Sequence, residues 1–222
     1  MGWTEFIAAF ATFLLAHMIP SRRTLRARLV ARLGETGFML AYSLLSALLL
    51  AWVIVAAGRA PYVPLWDWAT WQLRVPQIGV LIACLLVALA LGQPNPFSLG
   101  GARNADFDPS RPGVLRLTRH PLMLALAIWG AAHIVPNGDL AHVIMFGSFT
   151  AFALAGMVLL DRRNKRRLGP QWEALRTALA TTPRRPHLPG RRRADLMRVL
   201  AGLAVWAVLL LLHRPVLGVS PY

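Results

Sequence analysis

Apolar residues in this chain run in long unbroken stretches rather than alternating, and polar residues collect in the gaps between them. Six such stretches stand out: Trp3–Ile19, Thr36–Ala57, Val75–Leu91, Pro121–Val135, Leu140–Leu160 and Val199–Leu212. A helix needs about 20 apolar residues to cross a hydrocarbon core of roughly 30 Å, so each is a candidate span, the fourth being short enough to be tilted, kinked or only partly spanning. Backbone groups in lipid must be bonded within the chain, and nothing here shows the ten-residue alternation of a barrel strand. The pattern therefore predicts an all-α fold: a polytopic membrane helical bundle of about six transmembrane helices, in one domain spanning residues 1–222.

The intervening segments have characters of their own. Arg22 to Gly34 is basic, with leucines at 25, 29 and 33, the repeat of a helix lying on a membrane surface with its arginines among headgroups. Pro61–Trp71 carries Tyr62, Trp66, Trp68 and Trp71, rings suited to anchoring at the membrane–water boundary. From Gln93 to His120, seven prolines and glycines interrupt any regular element, and a loop of that length is usually functional or disordered. Pro121 suits the first turn of the fourth helix, Pro136-Asn137-Gly138 a tight turn, and Asp139 the cap of the fifth helix. Trp172-Glu173-Ala174-Leu175 can pack as a short helix.

Composition sharpens this picture. Hydrophobic residues make up 56% of the 222, and the formal net charge is +15. In a soluble protein that charge would suggest nucleic acid. Here five of the 24 Lys and Arg lie in Arg22–Arg32, four in Arg103–Arg119 and twelve in Arg162–Arg198, whereas Arg59, Arg74 and Arg214 fall in the alternate gaps. The positive-inside rule places the three rich segments in the cytoplasm and both termini outside. The expected partner is an anionic inner leaflet, with no nucleic acid. The first stretch lacks a basic leader before it, so it should remain as a helix rather than be cleaved.

Cys84 is a lone cysteine, which excludes a disulfide framework and a thiolate zinc site. Histidines remain as the candidate chemistry. His17, His120, His133 and His142 lie in or beside spans, where an ionisable group is costly and functional by default. The competing reading is a neutral imidazole hydrogen-bonded between helices. Imidazole without thiolate or carboxylate company suits haem iron better than zinc. Trp129 precedes His133 by one turn with Gly130 beside it, an arrangement open to a flat porphyrin or to ordinary close helix packing.

His17-Met-Ile-Pro20, Arg26-Ala-Arg28-Leu, Leu33-Gly-Glu35, Asn95-Pro-Phe97-Ser-Leu, Arg119-His-Pro121 and Trp129-Gly-Ala-Ala-His133 through Asn137-Gly-Asp139 together resemble the NnrU family over nearly the whole chain. That family comprises bacterial inner-membrane proteins associated with nitrite and nitric oxide metabolism. It also includes the plant 15-cis-zeta-carotene isomerase, which carries haem b on histidines. The resemblance implies haem b held by His17 and His133 as metal ligands, and His120 as a further functional histidine. It also implies partners among respiratory or denitrification proteins, and residence in the bacterial inner (cytoplasmic) membrane. Trp129 and Gly130 would wall the pocket and Arg119 would meet a haem propionate. His120 and His133 are 13 residues apart, about 20 Å along a helix, so depth alone pairs His17 with His120, or His133 with His142.

A second resemblance rests on Arg119-His-Pro121, Leu168-Gly-Pro-Gln-Trp172 and Pro183–Pro189, which are similar to the isoprenylcysteine carboxyl methyltransferases. It implies S-adenosylmethionine bound near Arg119 and His120, with Asp161 in place of an acidic pair. Met123 stands where that family usually has tyrosine, and Arg162 follows Asp161 where a second acid is usual. An assembly factor for respiratory complexes, without catalysis, is the remaining alternative.

Overall fold

A computed structural model describes residues 2–18, 23–102, 104–181 and 189–222. Among them the chain is helical: α1 (Gly2–Met18), α2 (Arg23–Arg59), α3 (Arg74–Ala90), α4 (Pro121–Ile134), α5 (Leu140–Leu168), α6 (Pro170–Thr181) and α7 (Pro189–Leu217). Each of the six apolar stretches carries a helix. Among the described residues four helical segments are long and apolar enough to cross a membrane: Thr24–Arg59, Thr70–Ala90, Leu140–Leu168 and Arg193–Leu217. The six predicted spans are thus supported in four cases. α1 has 17 residues and α4 has 14, about 26 and 21 Å of helix, both short of a hydrocarbon core.

These helices wear their apolar side chains outward. Leu40 is 68% exposed, Leu44 63% and Leu211 68%, the inverse of a water-soluble surface. Where the helices meet one another, small residues replace large ones, because in lipid close backbone approach rather than hydrophobic burial drives association.

The chain divides into two compact units, Met1–Asp67 with Gly138–Met145, and Trp68–Asn137 with Phe146–Tyr222. In the first unit α1 and α2 form a hairpin. Phe6 and Ala9 are buried, as are Val53, Ala56 and Ala57. A side chain at Gly2 would strike the Arg59 carbonyl and Pro61, and Glu5 meets Arg59 at 3.4 Å. α2 is broken at Gly34, whose φ of 72° and ψ of 165° only glycine adopts without strain. The basic stretch from Arg23 to Leu33 is therefore a separate helix ahead of the span, as its leucine spacing predicts. Arg26 bridges the break, reaching Glu35 at 2.8 Å and lying 5.4 Å over the ring of Phe38. The turn at Gly138 docks on the aromatic segment: Leu65 N–H donates to the Gly138 carbonyl at 2.7 Å and Leu140 N–H to that of Val63 at 3.0 Å.

In the second unit α3 packs on both α4 and α7. Gly79 lies against Ala132 and Ile128 of α4, and Gly202 of α7 against Cys84 and Ala88 of α3. The C-terminal carbonyls of α3 would otherwise end unpaired. Arg198 satisfies two of them, donating to Ala88 and Leu91 at 3.0 Å each. Arg198 is among the twelve basic residues of the third rich segment, and it is engaged by protein rather than by lipid alone.

The loop after α3 is ordered by side chains, although among its described residues there is no strand or long helix. Phe97, Leu115 and Trp172 form a buried cluster joined by Phe107, Leu168 and Leu175, so α6 closes over the loop. The short helix expected around Trp172 exists for this reason. Trp172 is its one buried residue.

Candidate functional site

Two groups of side chains in the second unit have the character of a site. The first is an aromatic box on α4 and α5. His133 donates from Nδ1 to the carbonyl of Trp129, one turn earlier, at 2.7 Å. Its ring stacks on Phe146 with centroids 5.0 Å apart and tilts against Trp129 at 5.1 Å. Trp129 in turn meets Phe146 edge-on at 5.3 Å and stacks on Phe149 at 6.0 Å. With Nδ1 as donor, Nε2 holds the lone pair, which is the tautomer a metal ion requires. Gly130 does not open this box to a flat ligand. A Cβ there would meet Thr150 Oγ1 at 2.6 Å and the Phe146 carbonyl at 3.0 Å, so the position is a close helix crossing. Trp129 is accordingly packed among rings on α5 rather than facing a vacant wall.

The second group gathers where the long loop reaches the start of α4. Asn95 organises it. Its side chain donates to the Arg119 carbonyl at 3.1 Å and accepts from Phe97 N–H at 3.0 Å, while its own N–H donates to Asn104 at 2.8 Å. Asn164 of α5, almost fully buried, donates to the Phe97 carbonyl at 2.6 Å, and Arg167 to that of Pro96 at 3.0 Å. Pro121 begins α4 at its first turn, as predicted, and fixes His120 just ahead of it.

His120 is 4% exposed, and both its ring nitrogens are engaged. Nε2 donates to Asp161 Oδ1 at 2.8 Å, and the Ser98 hydroxyl donates to Nδ1, 3.0 Å away. Arg119 donates to the other oxygen, Asp161 Oδ2, at 2.7 Å. Neutral imidazole satisfies both partners in one tautomer. Burial pushes the His120 pKa below its ordinary value, against the opposing pull of Asp161. Arg119 Nε is buried without a hydrogen-bond partner, an N–H with unused capacity.

The other histidines sit elsewhere. In the first unit His17 donates from Nδ1 to the Phe13 carbonyl at 2.7 Å and packs against Phe13 and Tyr42, with centroids at 4.1 and 5.8 Å. It shares the anchoring pattern of His133. His142, also there, holds Asp139 with Nδ1 at 2.7 and 2.9 Å, while Asp139 caps α5 by accepting from the His142 N–H, as the sequence suggests. His213 donates to the Val219 carbonyl at 2.8 Å. His187 and most of the Pro183–Pro189 stretch lie outside the described residues, as do Ile19 and Pro20 of the first motif.

The pairing of His17 with His120 loses support, because His120 has no nitrogen left for iron. Arg119, His120 and Asp161 do come together, as the methyltransferase resemblance implies, but they are closed upon one another. Among the described residues no three His, Cys, Asp or Glu side chains gather as for a metal ion. Ser98 and Asn164 are not singled out by the sequence. The signal for Asn164 is its i,i+3 spacing from Asp161, which sets both on one face of α5. Ser98 is legible only as part of the Asn95-Pro-Phe97-Ser-Leu motif, which does not single it out.

The family described as NnrU protein matches the chain over residues 5–221. No curated protein and no solved structure matches.

Proposed function

Because this chain belongs to the NnrU family, we propose that it is a six-span inner-membrane protein that holds haem b on histidine and serves nitrite and nitric oxide metabolism. The observation that carries the haem reading is His133: an imidazole in an aromatic box with Nδ1 pinned to a backbone carbonyl, so that Nε2 is the available ligand atom. The donor chemistry fits a haem iron, and His17 is the second ligand the family resemblance implies. Haem would supply a reducible iron able to bind nitric oxide. The chain's own part is to hold each imidazole in one tautomer and to surround His133 with apolar rings that exclude water. Arg119 keeps an unpartnered N–H that suits a propionate.

The test is an absorption spectrum of the detergent-purified protein, oxidised and reduced, with a pyridine haemochrome assay on the same sample. We expect a Soret band at near one haem per chain. His133→Ala and His17→Ala should each strip haem or change its spin state, and His187→Ala should not. A featureless spectrum from haem-replete cells would overturn the reading.

One observation favours a second reading, methyl transfer from S-adenosylmethionine: the convergence of Arg119, His120 and Asp161. Calorimetry with S-adenosylmethionine separates the two, since absence of binding heat removes it.

A further inference from the structure

Ser98, His120 and Asp161 form a continuous hydrogen-bonded line, and nothing in the haem reading uses it. Ser98 Oγ lies 3.0 Å from His120 Nδ1, His120 Nε2 lies 2.8 Å from Asp161 Oδ1, and Arg119 holds Asp161 Oδ2 at 2.7 Å. A nucleophile bonded to a base, and the base oriented by a third group, is the arrangement that activates a hydroxyl. The ring is turned so that Nδ1 rather than Nε2 faces the serine, but either imidazole nitrogen can carry the proton.

Burial separates the roles. His120 is sealed at 4% exposure, whereas Ser98 is half-buried, so the serine is the member of the line nearer the surface. Beside it the surface is apolar. Leu99 is 43% exposed and Leu91 56%, and the side chains of Leu91 and Leu122 lie over Gly100. Gly100, with φ of 79°, turns the backbone two residues after the serine and leaves the place of a side chain to Leu122.

We infer that Ser98 is a nucleophile for acyl esters with an apolar chain, with His120 its general base and Asp161 the group that orients the base. Ser98 Oγ attacks the ester carbonyl carbon as its proton passes to His120 Nδ1. The bond from that carbon to the alcohol oxygen then breaks, and His120 returns the proton to the departing alcohol. Water, deprotonated by the same nitrogen, attacks the acyl-serine, and His120 gives that proton back to Ser98 as the carboxylic acid leaves. Asp161, held by Arg119, steadies the imidazolium between steps.

The experiment uses the full-length protein in non-ionic micelles with an alkyl fluorophosphonate, followed by mapping of the adduct by mass spectrometry. We expect modification at Ser98, its loss in Ser98→Ala, and labelling slowed roughly 100-fold or more in Asp161→Asn. Ser98→Cys guards against misfolding, since its thiol should react with an alkyl iodoacetamide faster than Cys84 does. p-Nitrophenyl octanoate should be hydrolysed in preference to the acetate, and Ser98→Ala should abolish the difference. An adduct spread over other serines such as Ser148, or octanoate hydrolysis that survives Ser98→Ala, would overturn the proposal. So would the absence of an adduct on folded protein, together with an unreactive introduced thiol in the Ser98→Cys variant.

Discussion

Single polar side chains decide the shape of the long loop. Asn164 is 7% exposed and donates directly to the Phe97 carbonyl at 2.6 Å. Asn164→Ala strands that carbonyl in a buried site, at a cost of about 1–3 kcal/mol. A lowered Tm in detergent, with helix content unchanged by circular dichroism, checks it. His120 makes a second prediction at this scale. Its folded pKa is lowered by burial, so the unfolded chain binds the proton more readily. The stability this histidine contributes is therefore complete above the unfolded value of about 6.5 and is lost as pH falls through it towards the folded one. Thermal unfolding should show a falling Tm between neutral and mildly acidic pH, and His120→Asn should flatten that slope.

At the scale of elements, the break in α2 turns a predicted surface helix into an independent piece. Gly34 has open space around the position of a Cβ, so any cost of replacing it is conformational rather than steric. With φ of 72° and ψ of 165°, Gly34→Ala should destabilise the protein by about 1–3 kcal/mol, or straighten the helix and tear Arg26 from Glu35. Limited proteolysis near Gly34, compared with the parent, reads the difference. α4 shows the opposite use of glycine. Gly130 serves the crossing with α5, and that crossing is what brings Phe146 onto the face of His133.

For the whole molecule, the distribution of arginine carries the orientation. With Cys84 replaced by Ala, a single cysteine at Tyr62 should react with an impermeant maleimide in intact cells. One at Asp106 should react only after permeabilisation, since it lies in the loop with Arg103–Arg119. Reversed labelling would invert the topology. Labelling of both sites in intact cells would place the loop and the aromatic segment on one side.

Composition and short spacings were enough for the helical class, the membrane character, the cap at Asp139 and the separate basic helix before Gly34, while the family was legible in the motifs that resemble it. They suffice because lipid forces the backbone into helices and local hydrogen bonds close within a few residues. The span count was legible only in part: the run Pro121–Val135 foretold the 14 residues of α4 closely, but a hydropathy run does not say whether so short a helix crosses the membrane. Which histidine nitrogens are engaged depended on long-range contacts alone. Ser98 and Asp161 lie 22 and 41 residues from His120, and no local pattern links positions so far apart. The role of Gly130 as a helix contact was likewise set in three dimensions, because it depends on what α5 places opposite it. Local periodicity fixes the face of a helix; packing fixes what that face meets.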